Sequence, residues 1–543
     1  MIENRSEGKM DFVVSPYFIL PFILLSYCGV DLIITKRVVQ KNSAYPLLGS
    51  PLVTIPRVLL NLVFAGKAAQ ILENGYKKLC VRNSSLPLIS AKFKDGAFQL
   101  VRGDGNIVVL PNCLLDELST LPSTIASPNG ALEHDLLGPY TGLDLILESR
   151  LHHAIVQRKL TPRLGILTPG LENELNAAFE DYFPTCDEWT EFTPYKILGK
   201  ISARLSGRAL VGPTLCRDAT WLDISFDYTE NLFRTVVLLR LFPEWVRPLL
   251  CRMLPSYWHG QRYVRSAKAL LGPKIHELLC KSDDYSWGPE GHEEDSNVLS
   301  WLASTAKGRD RDPDTLAHVE VLLALAAVHT TLLRMVNVLY DLTANPGLLE
   351  ELRFEIEAEV EGKQGWNEAS YSQLQKLDSV FRESQRMSPP TILGMKRLFK
   401  QAHTFENGLH LPKGSYACLP IFAIENDPAN TPHPEVFDGL RSYRRRQQAQ
   451  TNDSKPKAGN EEHLFSSTEH NILNFGYGKS ACPGRYFASL VLKILFAKLL
   501  TEYEFDFLPG TKRPQNIMIH EFLFCWPWQK MLVRRKKDGM CPF

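Results

Sequence analysis

Excess charge of one sign, paired cysteines, zinc-type motifs, linkers and repeats are all missing from this 543-residue chain. Its 61 Lys and Arg residues nearly cancel 60 Asp and Glu residues, leaving a formal charge of +1, so nothing global favours nucleic acid or another polyanion. Eleven cysteines lie scattered without paired spacings. The odd count argues against a disulfide framework and for a reducing compartment. Neither Cys-x-x-Cys nor His-Glu-x-x-His occurs, which leaves a zinc enzyme without support. No Gly/Ser-rich or Pro-rich linker divides the chain and no internal repeat is visible. One large domain is therefore expected, although the length alone would suggest several.

One stretch lacks charge altogether. Phe12 to Val30, FVVSPYFILPFILLSYCGV, would span about 28 Å as a helix, enough to cross a bilayer core; Pro16 and Pro21 weaken it. Glu3, Arg5, Glu7, Lys9 and Asp11 sum to minus one before it, and Lys36, Arg37 and Lys41 follow it, so the positive-inside rule leaves the body in the cytosol. A basic leader and a small-residue cleavage site are not evident, which favours an uncleaved anchor over a signal peptide. The expected organisation is an anchor over residues 1–40 and a catalytic domain over 41–543. The YPLLGSP run, Tyr45 to Pro51, reads as a stiff turn between them.

The body reads as mainly α with a small β portion. AKFKDGAFQLVRGDGNIVVLP alternates apolar residues between Asp-Gly turn signals at Asp95 and Asp104, a hairpin pattern. Helical patterns follow to about residue 387, and a strand-like run covers Asn407 to Pro420. Ser372 and Gln375 suggest a capping box opening a helix through Leu374, Leu377 and Phe381, stopped by Pro389 and Pro390. A second helix begins at Asp312, with Pro313 in the favoured first turn, and runs to Asn345-Pro346. Apolar on nearly every face and about 45 Å long, it must cross the core. Arg444 to Arg446 and the polar tract to Glu462 read as a solvated loop.

Phe475 to Gly484, FGYGKSACPG, carries the most chemical information. Gly476, Gly478 and Gly484 permit conformations closed to other residues and let the chain lie flat against a bulky planar group, while Pro483 fixes the turn beyond the sulfur. The following run RYFASLVLKILFAKLLTEY has helical periodicity, so Cys482 sits at a helix N-terminus, where thiolate is favoured over thiol. A thiolate on haem iron supplies electron density that promotes O–O cleavage. A buried cysteine in a Gly-rich turn is the plainer alternative.

The decapeptide resembles the haem-binding signature of the haem-thiolate monooxygenases, the cytochrome P-450 family, with Phe475, Gly478, Cys482 and Gly484 at the signature spacings. Where the family has Arg or His two residues before the cysteine, to meet a haem propionate, this chain has Ser480, and the resemblance leaves Lys479 beside it to take over the charge. Glu383 and Arg386, ninety-six residues before Cys482 in the case of Arg386, resemble the family's Glu-x-x-Arg; alone, such a pair is an ordinary surface contact. PEVFDGLRSYR, from Pro434, resembles the family's Pro-Glu-x-Phe-x-x-x-Arg and nominates Arg441 as third member. The implied role is structural: one carboxylate between two guanidinium groups holds the haem-side loop.

In the long helix, AAVHTT, Ala326 to Thr331, resembles the oxygen-side motif of the family, with Ala327 for the usual glycine and His329 for the usual acid. The resemblance makes Thr330 and His329 the catalytic nominees: Thr330 bonded to the carbonyl of Ala326, His329 titrating near neutrality to relay protons. A core histidine is the alternative. Arg397 stands where the family places a propionate-binding arginine. Arg158, in LHHAIVQRKLTP, is a nominee for the same task although the family's Trp is absent there, and Pro389 to Met395 would line the substrate side. The Ala-Ala-x-His-Thr-Thr wording is similar to filamentous-fungal members that oxidise terpenoids, of the ent-kaurene oxidase and indole-diterpene type. The resemblance implies haem b with Cys482 as axial thiolate and an apolar substrate. It also implies electrons from an NADPH reductase and a single-pass endoplasmic reticulum protein facing the cytosol, with no nucleic-acid partner. Two other readings stay open: a haem-thiolate isomerase or dehydratase needing no reductase, and a non-catalytic haem-binding membrane protein.

Overall fold

The computed structural model describes residues 45, 47–48, 57–81, 96–102, 105–148, 150–284, 293–362, 366–452 and 462–543. The nominated anchor, most of the Tyr45–Pro51 turn, Asp95 and Asp104 lie outside them.

The β portion is chiefly one mixed sheet. Strands β1 (Leu47–Leu48), β2 (Phe98–Arg102), β3 (Gly105–Val109), β4 (Ala126–Ser127), β5 (Gly394–Phe399) and β6 (Tyr416–Leu419) lie in the order β1-β2-β3-β6-β5-β4. The expected hairpin is β2–β3, with Phe98 opposite Val109 and Arg102 opposite Gly105. Along β5, Met395, Arg397 and Phe399 are buried on one face, and alternation turns Lys396 to the other. Ile517–Ile519 (β7) and Phe522–Phe524 (β8) form a separate hairpin.

Helices make the rest. Those that position the site are α1 (Arg57–Val81), α2 (Pro128–Asp135), α3 (Pro194–Leu210), α4 (Ala219–Leu239), α5 (Pro255–Asp283), α6 (Pro313–Thr343), α7 (Gln375–Met387) and α8 (Arg485–Glu502). Helix α6 starts where Asp312 accepts from the Thr315 amide at 2.9 Å, with Pro313 next. It is packed by α3, α4, α5 and α7, as its all-round apolar surface requires. It is the one described helix long and apolar enough to cross a membrane, and it is a buried core helix.

Helix α7 has two faces with different tasks. Leu377, Val380 and Phe381 enter the core, whereas Asp378, Arg382, Glu383 and Arg386 are buried polar residues on the other side. Each of these is paired: Asp378 with Lys493 at 2.9 Å and the Phe465 amide at 2.6 Å, Arg382 with the Leu464 carbonyl and Glu469, both at 3.0 Å. The start of α7 differs from expectation. The capping box belongs to a short preceding helix, Glu368–Gln373, and consists of Asn367 and Ser370. Gln375 opens α7 without a cap of its own; instead Glu355, from the helix Pro346–Gly362, accepts from the Lys376 and Leu377 amides at 2.6 and 3.0 Å. A remote carboxylate satisfies the orphan donors. The tract after Arg441 also differs: Arg441–Asn452 is a helix, because Arg and Gln are good helix formers and the Tyr443 amide is held by Ser379 of α7 at 3.0 Å.

Phe381 is fully buried, its ring 5.7 Å from that of Phe465 and 5.5 Å from that of Phe496. Phe381→Ala is expected to cost about 3–5 kcal/mol through lost burial and the cavity left behind. Chemical denaturation checks this; a loss below about 1 kcal/mol would contradict the packing.

Candidate active site

A cavity of about 760 Å³ lies between α6, α2, α4, β5, the β7–β8 hairpin and the loop before α8. Leu136, Phe233, Leu322, Leu325, Phe522 and Leu523 give it a mainly apolar wall. Ala326 and Thr330 are accessible although they sit mid-way along a core helix, because both line this cavity. The Thr330 hydroxyl donates to the Ala326 carbonyl at 2.7 Å, as the sequence led one to expect. His329 also lines the wall, its ring centre 4.7 Å from that of Phe226 and tilted 34° to it, and neither ring nitrogen has a partner among the described residues. Burial pushes its pKa down to about 4. The expectation of titration near neutrality is therefore corrected: desolvation keeps this imidazole neutral at physiological pH.

The Cys482 loop is built by its own backbone. The Cys482 amide donates to the Phe475 carbonyl at 2.7 Å and the Gly476 amide to Leu473 at 2.9 Å. Gly476 has φ +75°, and a Cβ there would meet the Ser480 carbonyl at 2.6 Å, so only glycine fits. Gly478 is also left-handed, at φ +57°. Gly484 is not: it has φ −88° at the N-cap of α8, a conformation open to any residue. Phe475 packs edge-on against Phe465, 5.1 Å away. The Cys482 side chain is accessible yet closely surrounded by protein, and that crowding pushes its thiol pKa up. The amides of Gly484 and Arg485 donate to the sulfur and oppose the shift, as a helix N-terminus should.

Arg397 is buried at 3% exposure, lines the cavity, and donates to the Ser480 hydroxyl at 2.8 Å and the Lys396 carbonyl at 2.9 Å. No carboxylate pairs with it among the described residues, and desolvation pushes its pKa down to about 10. Lys479 is exposed and off the wall. The cation beside Ser480 thus comes from β5 instead of from the loop. Arg158 is exposed and off the cavity wall; of its segment, His152 lines the cavity.

Glu383, Arg386 and Arg441 come together but lie outside the cavity wall. Arg386 grips the Glu383 carboxylate with two bonds of 3.0 and 2.6 Å, and Arg441 stands 3.3 Å from it. Arg386 also donates to the Pro434 carbonyl at 2.7 Å and Arg441 to that of Pro432 at 2.6 Å, while the Asp438 amide donates to Glu383 at 3.0 Å. Glu425 joins this region to the cavity. Fully buried near Arg382 and Arg386, it accepts from Asn474, a wall residue, at 2.6 Å. No local signal marked Glu425, or the wall pair Asp135 and Lys396, because their partners are distant in sequence.

Comparison with known proteins accords with this arrangement. The Cytochrome P-450 family model matches residues 150–532. The chain is 36% identical over 498 residues to the cytochrome P-450 monooxygenase AN1598 of Emericella nidulans, covering 92% of this chain and 89% of that protein. It is 33% identical over 496 residues to the ent-kaurene oxidase of Gibberella intermedia, covering 90% and 88%. Among solved structures, retinoic acid bound cyanobacterial CYP120A1 has a TM-score of 0.56 at 19% identity, covering 84% of this chain and 96% of that one, a likeness of fold. The chain belongs to the cytochrome P-450 family and is a monooxygenase-type oxidoreductase. Membership implies haem held by a cysteine thiolate.

Burial pushes the Glu425 pKa up to about 7. The folded protein therefore holds this proton at pH values where an unfolded Glu, near 4.3, has lost it. Between about pH 4 and pH 7 the native state binds more protons, so this group's contribution to stability falls as pH rises through that window. Glu425→Gln is expected to gain thermal midpoint relative to wild type on going from pH 5 to pH 8. A difference between the two proteins that does not change with pH would contradict it.

Proposed function

We propose that this chain is a membrane-anchored haem-thiolate monooxygenase that inserts one oxygen atom from dioxygen into an apolar, terpenoid-type substrate, with NADPH-derived electrons from a flavin-containing reductase. The observation that carries the reading is the Cys482 sulfur, accessible within a crowded glycine-shaped loop and faced by two backbone amides. The residues present fit haem b. A buried arginine with no carboxylate partner on a cavity wall is costly unless an anion joins it, and Arg397 with Ser480 would take a propionate. When bound, a haem ligated by a thiolate supplies the activation of dioxygen.

The remaining work falls to this chain's side chains. Cys482 would ligate as thiolate, its charge stabilised by the Gly484 and Arg485 amides. Gly476 and Gly478 keep the loop flat, and Phe475 braces it from the core side. Thr330, turned by its bond to Ala326, holds a hydroxyl at the cavity surface from which a proton can be passed. His329, kept neutral, can accept and donate at its two free nitrogens without carrying charge. Glu383, Arg386 and Arg441 act at a distance by holding the chain that leads to the loop, and Arg158 has no part at the wall.

An apolar substrate suits the wall, and the kinship with an ent-kaurene oxidase supports a terpenoid type. Residues 1–40 would be the anchor and 41–543 the catalytic domain, facing the cytosol from the endoplasmic reticulum. Support comes from exposed apolar residues on the body: Leu59, Leu62 and Val63 of α1, and Trp245, Leu249 and Met253 after α4. Asn61 donates to the Arg240 carbonyl at 2.6 Å and brings these two segments together. Exposed apolar residues gathered in this way suit a lipid surface.

Incubation with a reductase, NADPH, heavy-isotope dioxygen and a panel of terpenoid precursors should give a product carrying one heavy oxygen atom by mass spectrometry. Product formation without reductase and NADPH would overturn the reading in favour of a rearrangement enzyme. Thr330→Val keeps the volume and removes the hydroxyl. It is expected to lower product per NADPH by roughly tenfold or more, with hydrogen peroxide making up the difference; unchanged coupling would contradict the role given to Thr330.

A further inference from the structure

Besides the Glu230–Arg234 pair of α4, 2.7 Å apart, the cavity wall holds an ionic cluster that includes none of the residues assigned above to haem. Lys396 of β5 lies 2.6 Å from Asp135 of α2 and 3.3 Å from Glu521 at the β7–β8 turn. Arg102 of β2 pairs with Asp135 at 2.9 Å, Arg240 just beyond α4 pairs with Glu521 at 2.9 Å, and Tyr416 of β6 donates to Asp135 at 2.7 Å. Arg102, Asp135, Arg240 and Glu521 are at most 3% exposed, whereas Lys396 retains 16%. Asp135 and Lys396 are the members that line the cavity.

Their hydrogen-bonding capacity is not exhausted. An ammonium has three N–H donors, and Lys396 spends two on described residues. A carboxylate has about four acceptor positions. Asp135 fills three: Oδ1 receives Arg102, and Oδ2 receives Lys396 and Tyr416. One acceptor position therefore remains on Asp135, and the third Lys396 donor has only the Phe522 ring, its centre 5.3 Å from Nζ, a weaker partner than a hydroxyl oxygen; the two residues are joined by a 2.6 Å ion pair. Burial would ordinarily neutralise such groups, but here the opposed charges hold Asp135 well below the usual carboxylate range and raise Lys396. The surrounding arginines fix both carboxylates, so the pair is rigid before anything binds.

We propose that Lys396 and Asp135 form a recognition point for a hydroxyl group on the substrate, the hydroxyl accepting from Lys396 Nζ and donating to Asp135 Oδ1. This rests on the monooxygenase reading above and narrows its substrate class: a terpenoid-type molecule that already carries oxygen. A bare hydrocarbon would cover a charged pair and leave its spare donor and acceptor unpaired. The cluster's three cations and two carboxylates do not refuse a carboxylate by net charge, but a carboxylate brings no proton for Asp135 and sets its own oxygens against that anion, which an alcohol does not. An earlier step that places oxygen on the skeleton must then supply the substrate.

The test is isothermal titration calorimetry of the full-length holoenzyme with abietadiene, the corresponding primary alcohol, its methyl ether and abietic acid. The alcohol is expected to bind about tenfold more tightly than the hydrocarbon, with the ether between them and the acid weaker than the alcohol. Lys396→Met should weaken the alcohol about tenfold and leave the hydrocarbon within about twofold. An alcohol no tighter than the hydrocarbon, an acid that binds tightest, or a Lys396→Met variant that weakens all four alike would overturn the proposal. If that variant does not fold, the wild-type series alone decides. The reduced carbon monoxide spectrum of the same preparation reports separately on the haem-thiolate reading: a thiolate band with a flat ligand series defeats this inference alone.

Discussion

Glu383 is a carboxylate with 2% of its side chain exposed, held by two guanidinium groups and one backbone amide, and the geometry around Cys482 descends from it. A buried charge survives only when every lone pair is used. Here the partners that satisfy Glu383 also grip the carbonyls of Pro432, Pro434 and Val436. One turn earlier on the same helix, Arg382 binds the Leu464 carbonyl and Glu469, and Asp378 binds Phe465. Helix α7 thus ties down both stretches that lead to the cysteine loop. Loss of one member strands a charge and releases chain, a double penalty.

The same logic orders the cavity. Its wall is mainly apolar, and its charges are paired, as Glu230 is with Arg234 at 2.7 Å, or have an evident need for a partner. Among the described residues Arg397 has a hydroxyl and a carbonyl but no carboxylate, which suits an anionic edge of a planar cofactor. Lys396, one residue away and on the other face of β5, is anchored between two carboxylates, which suits a neutral polar group. On the readings proposed above, these adjacent cations serve different ligands because the pleat turns them apart. On the opposite wall, α6 offers a hydroxyl and a neutral imidazole, groups that can handle protons without adding charge to an enclosed space.

Much of this was legible in the chain because it is local. The glycine-spaced cysteine loop, the cap at Asp312, the bond from Thr330 to Ala326 and the spacing of Glu383 and Arg386 all involve residues within a few positions of each other. Arg441 was reachable only through family resemblance. What could not be read involves partners brought together by the fold: Arg397 with Ser480, Glu355 capping α7, and Arg240 with Glu521. The polar tract from Arg444 to Glu462 was read as a solvated loop, whereas its described part, to Asn452, is helical through helix propensity and the bond from the Tyr443 amide to Ser379. The charge state of His329 was misjudged because type alone does not report burial. Gly484 was credited with a special conformation that its φ does not require.

On the proposed reading, this architecture presents the Cys482 sulfur as a thiolate ligand. The most direct measurement is the absorption spectrum of the reduced carbon monoxide complex of Cys482→Ala, prepared beside wild type with circular dichroism to verify the helical fold. The account predicts a strongly red-shifted Soret band in wild type and none in the variant. A folded variant that keeps the band would contradict the account.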